Sequence, residues 1–79
     1  MELLKLQEYF EYLDELRDSG VTNMFGAGPY LQRDCNLEKK ESHKVLKLWM
    51  DTFSDEPVYD RALKAFEKEE YNENQNQKT

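Results

Sequence analysis

Between residues 3 and 16 the apolar side chains fall at three- and four-residue steps: Leu3, Leu6, Tyr9 or Phe10, Leu13 and Leu16. That spacing lines up one side of an α-helix and predicts a helix over residues 2–18. Glu8, Glu11, Asp14, Glu15 and Asp18 fill much of the remaining circumference, and Gly20 can end the helix cheaply in the left-handed conformation. Leu4 and Tyr12 widen the apolar stripe beyond a single seam, the pattern of a helix with a second surface to cover.

The pattern then breaks into turns and resumes twice. Thr22 or Asn23 can accept a backbone N–H as a helix N-cap, so residues 23–28 read as one tight turn. Pro29 fits at a first helical position, which predicts a short helix over 29–35. Asn36 is a left-handed stop, and Leu37 folds back over the helix end. Residues 38–53 form a longer helix whose apolar face is Val45, Leu46, Trp49 and Phe53, with Leu48 and Met50 at its margins. Ser54 and Asp55 cap the next helix, Pro57 sits in its first turn, and Tyr59, Ala62, Leu63 and Phe66 form its stripe. The closing run NENQNQKT has no apolar residue and is expected to be disordered. The expectation is an all-α, compact three- to four-helix bundle with a helix-turn-helix-like centre. It forms a single domain over 1–71, followed by a tail over 72–79.

Size narrows the picture. At 79 residues the chain holds one domain, and a core this small rarely supplies more than about 3–5 kcal/mol unaided. One cysteine, Cys35, excludes an internal disulfide, and Cys35 with the single His43 cannot furnish the four ligands of a structural zinc site. Helix packing or oligomerisation must do that work, so a homodimer is expected. No apolar run reaches the ~18–20 residues that span a membrane. The N-terminus alternates charge with leucine, unlike a signal peptide, and the lone thiol suits a reducing, intracellular setting.

The net charge is −6, which disfavours generic phosphate-backbone binding. Its distribution is uneven. Residues 1–20 carry six acids against two bases, residues 54–71 six against three, and residues 33–53 four against five. A mildly basic middle therefore separates two acidic stretches.

Four constellations bear on chemistry. The helix-turn-helix form of 30–48 would offer Lys40, Lys44 and Lys47 from one face to a DNA backbone. That helix lacks Arg, Asn and Gln for base edges, and Glu38 and Glu41 put acid beside the lysines, so a solvated, salt-bridged face explains it more simply. Cys35 and His43 lack an orienting group and an oxyanion site, so Cys35 reads as a small core residue and His43 as exposed. The acids Asp55, Glu56, Asp60, Glu67, Glu69 and Glu70 have no calcium-loop pattern and read as solvated. Together with the first helix's acids they could instead imitate DNA phosphates. Gly26–Ala27–Gly28 is too short for a phosphate loop, and Met24, Phe25, Tyr30 and Trp49 read as core linking the turn to the long helix. No catalytic residue, cofactor or metal is implied.

The run YLDELRDSGVTNMFGAGPYLQRD, followed by Leu37, a Lys/Glu-rich helix start and a Leu-x-x-Trp-Met ending, resembles a small protein family encoded widely by bacteriophages. The family core reads S-G-x-T-N-M-F-G-A-x-P-Y-L, then an aromatic-Gly-Leu turn and a W-M helix. Ser19, Gly20, Thr22, Asn23, Met24, Phe25, Gly26, Ala27, Pro29, Tyr30, Leu31, Leu37, Trp49 and Met50 match it, whereas Cys35 and Asn36 depart from it. The resemblance covers roughly residues 9–53 and implies origin and fold rather than an activity. It also implies a setting, the cytoplasm of a bacterial host. There, small acidic non-catalytic phage proteins commonly bind and inhibit a host or anti-phage defence protein. The expected contact is Glu8, Tyr9, Glu11, Tyr12 and Glu15 of the first helix with Tyr59 and Phe66 of the last. The alternatives are a DNA-binding regulator using Lys40, Lys44 and Lys47, or an acidic DNA mimic.

Overall fold

The helix boundaries sit where the chain's stop signals lie. In the computed structural model, which describes residues 2–23 and 26–78 (side chains through 69), the helices are α1 Leu3–Ser19, α2 Gly28–Asp34, α3 Lys39–Thr52 and α4 Val58–Lys78. Gly20 ends α1 at φ 69°, donating its N–H to the Arg17 carbonyl. Asn36 takes the same left-handed conformation after α2, at φ 56°. Asn tolerates that region better than most residues with a Cβ. The Asn23 Oδ1 accepts the Gly26 N–H at 3.0 Å, the capped turn that the sequence predicts. Pro29 lies in the first turn of α2, and the Pro57 carbonyl accepts the Arg61 N–H as α4 begins. The Ser54 hydroxyl accepts the Glu56 N–H, so it shapes the approach to α4.

The described residues are all-α, as the periodicity predicts. The expectation for 72–79 falls on residues whose side chains lie outside the described set; the α4 backbone is helical to Lys78. Met24 and Phe25, read from the sequence as core, also lie outside the described residues.

Packing joins α1 to α4 and α3, and α3 to both α2 and α4. The shared core contains Leu6, Phe10, Leu13 and Leu16 from α1, Ala27 and Leu31 around α2, Val45, Leu46, Leu48 and Trp49 from α3, and Ala62 and Ala65 from α4. Of the two candidates on α1 it is Phe10 that is fully buried, while Tyr9 packs at the edge. Burying side chains of this size contributes roughly 1.5–3 kcal/mol each. Cys35 and Leu37 are half-buried against this core, and His43 is exposed.

Three expectations about single positions are corrected. Phe53 was expected on the α3 face but is 42% exposed: the backbone leaves helix there, at φ −63° and ψ 130°, and carries the ring off the stripe. Leu48, expected at the margin, is buried. Glu69, expected to be solvated, is 7% exposed and ion-paired with Lys44, because it follows Ala62 and Ala65 at helical spacing on the buried stripe of α4.

Candidate interaction surface

Polar side chains fall into two groups here, those that hold the bundle together and those it leaves outside. The first group centres on Asp14. Its Oδ1 accepts the Trp49 indole N–H at 3.0 Å and the Arg61 Nη1–H at 3.0 Å, and its Oδ2 accepts Arg61 Nη2–H at 2.5 Å. Arg61, only 5% exposed, also donates its Nε–H to the Glu56 carbonyl at 3.0 Å. One carboxylate thus ties α1 to α3 and α4. Burial alone would raise the Asp14 pKa, but the hydrogen bonds from Arg61 and Trp49 and the Arg61 charge outweigh it and hold the pKa below its ordinary value. Phe53 closes this end of the bundle. Its ring lies 4.9 Å from that of Trp49, with the Arg17 and Arg61 guanidiniums 4.6 and 5.5 Å from its centroid. Asp14, which the sequence places off the apolar stripe of the first helix, is half-buried by these bonds.

Tyr12 makes the equivalent link on the opposite flank of α1. Its hydroxyl donates to the Asp34 carboxylate at 2.5 Å and approaches the Tyr30 carbonyl at 3.4 Å. Residues 12 and 14 are two positions apart, about 200° around a helix, so the links to Asp34 and to Arg61 leave α1 on opposite flanks. Burial, then the hydrogen bond to Asp34 and its charge, push the Tyr12 phenol up to about 12. Asp34 is held below the ordinary carboxylate range by hydrogen bonds from Arg33 first and Tyr12 second.

Of the seven residues expected to form one contact, Glu8, Glu11, Glu15 and Tyr59 are exposed, and Tyr9, Tyr12 and Phe66 are half-buried. Glu8, Glu11 and Glu15 are exposed on the side of α1 away from the core, and none forms an ion pair among the described residues; Glu11 accepts a hydrogen bond from Gln7. Tyr9 packs against the core and Tyr12 is bonded to α2, so both serve the fold as well as flanking the acids. Tyr59 is 44% exposed in the first turn of α4, and Phe66 is half-buried against the core. All three lysines of the basic row are exposed, and Lys44 pairs with the buried Glu69.

A groove of about 390 Å³ runs between the C-terminal half of α1 and α2. Tyr12, Leu16, Val21 and Tyr30 form its apolar lining, with Glu15, Arg33 and Asp34 at the rim. Sequence reasoning missed it, because no local pattern brings residues 12 and 34 together. Exposed Val21, standing next to the Gly20 stop, was the available hint.

The Cys35 thiol is pushed up by burial, with the charges of Asp34 and Glu8 adding to it, the opposite of what a nucleophilic thiolate needs. Among the described residues no group of three His, Cys, Asp or Glu side chains is placed to hold a metal ion, and no helix is long and apolar enough to cross a membrane. Comparison with protein-family models, curated proteins and solved structures gave no match.

Proposed function

We propose that this chain is a non-catalytic protein-binding module that engages and inhibits a host or anti-phage defence protein in the cytoplasm of an infected bacterium. One observation carries the reading. Asp14, Tyr12, Asp34 and Arg61 are all committed to contacts between helices, yet Glu8, Glu11 and Glu15 stand in the open with no cationic partner among the described residues. A row of exposed carboxylates without ion pairs among the described residues adds little to the fold beyond the Gln7–Glu11 hydrogen bond, and it repels phosphate. It suits a basic protein surface, with Tyr59 of α4 as a further exposed contact. The phage-family motif across 19–31 supports the setting. The homodimer expected from the sequence has less support: Leu4, 68% exposed, shares a helical face with Glu8, Glu11 and Glu15, so a second copy laid over it would bring like charges together.

A DNA-reading role takes second place because Lys44, the middle of the basic row, is paired with Glu69. The test is capture from bacterial lysate with the tagged chain, with and without nuclease. Stoichiometric retention of one protein in both arms is expected, and its loss from a Glu8→Lys, Glu11→Lys, Glu15→Lys variant of unchanged helicity. Retention that vanishes with nuclease would replace this reading with the DNA-bound one.

A further inference from the structure

We propose that the groove between α1 and α2 receives a short basic segment of the partner protein. An aliphatic side chain of that segment lies against Leu16, Val21 and Tyr30, and a Lys or Arg sits beside Glu15. The inference rests on the protein-binding reading above and deepens it by naming the chemistry of the bound segment.

The groove's own polar groups specify this occupant. The Tyr12 hydroxyl is taken by Asp34 and the Tyr30 carbonyl. Arg33 bonds to Asp34 through Nε at 2.9 Å and lies over the Tyr30 ring, its guanidinium 5.0 Å from the centroid. The Ser19 hydroxyl donates to the Leu16 carbonyl at 2.7 Å and faces the Val21 N–H at 3.4 Å. Only Glu15 is left, among the charged residues lining the groove, without an ion pair or hydrogen bond among the described residues. Beside it Val21 is 58% exposed, an apolar side chain the fold itself does not cover.

An occupant therefore needs an apolar anchor and one cation. A neutral segment would leave Glu15 unpaired at the rim, and an acidic one would meet it with like charge. Glu11 and Glu8 continue the acidic row one and two turns up α1, at about 6 and 10.5 Å along the axis, so further basic residues in the segment find partners. The same row argues against a nucleic acid, whose phosphates it repels, and against a second copy of a chain carrying −6, which would bring like charges together.

The test is selection of displayed random twelve-residue peptides against the immobilised full chain, followed by titration of the recovered peptides into isotope-labelled protein by NMR. Recovered peptides are expected to be net basic with one aliphatic residue, and to shift amides across 12–22 and 30–34. Glu15→Gln is expected to weaken them about fivefold and Val21→Asp about tenfold, while Asp60→Asn, the same charge change on α4, leaves affinity unaltered. Neutral or acidic winners, or failure to recover any binder, would overturn the proposal. Basic peptides that map to Glu8, Glu11 and Tyr59 would overturn the groove while sparing the protein-binding reading, whereas lysate capture failing as well would remove both. Concentration-dependent shifts across the groove without peptide would replace the basic segment with a second copy.

Discussion

A single carboxylate carries much of the tertiary connection. Asp14 accepts from two α-helices at once, and the guanidinium facing it is nearly sealed from water. Removing one partner from a buried pair costs about 3–5 kcal/mol, and the partial solvent contact of Asp14 brings the expectation for Arg61→Met to about 2–3 kcal/mol in urea unfolding. The carboxylate's folded pKa is lowered, so its contribution is complete above the unfolded value near ~4 and drains as pH falls through the folded value. Asp14→Asn should therefore lower stability at neutral pH and flatten the acid limb of the stability profile. Tyr12 acts in the opposite direction. With its phenol raised to about 12, its contribution is present below pH ~10 and is lost as pH climbs toward the folded value. In an ultraviolet titration of the native protein, Tyr12→Phe should delete a tyrosinate component rising near pH 12. Loss of an earlier component instead would mean that the Tyr12–Asp34 bond does not form in solution.

The elements themselves were largely legible. Apolar spacing located α1, α3 and α4, and Gly20, Asn36 and Pro29 marked ends and starts that the backbone adopts. Such signals are local: a left-handed stop or a first-turn proline acts within a few residues. Gly20→Ala tests one of them cleanly. A Cβ there meets nothing within 4 Å, so the expected cost of about 1–2 kcal/mol is purely conformational, and Asn36→Gly should be neutral or stabilising. A large loss on Asn36→Gly would show that the Asn side chain, rather than the backbone, matters. The links between elements were not legible. Asp14 and Arg61 lie 47 positions apart and Tyr12 and Asp34 lie 22 apart, and both pairs look from the sequence like ordinary members of charged helix faces. Glu69 was misread for a related reason, since its charge argued for water while its spacing after Ala65 argued for the core.

On the scale of the molecule, the fold sorts its charge. The acids and bases that join helices face one another, while Glu8, Glu11 and Glu15 form a row without ion pairs among the described residues, with Glu15 at the rim of the α1–α2 groove. The candidate surface was half visible in the sequence. The acidic row followed from helical periodicity, but the groove depends on where α2 sits relative to α1, and Tyr9 and Tyr12, two of the three tyrosines expected in the contact, also serve the packing. The acidic, apolar-floored surface is the one to which the proposed basic protein segment is complementary. The most direct test of that account is the lysate capture, run with wild-type chain and with the Glu8→Lys, Glu11→Lys, Glu15→Lys variant matched for helicity by circular dichroism. The account predicts one protein retained by the wild type, resistant to nuclease and lost from the variant; equal retention by both chains would contradict it.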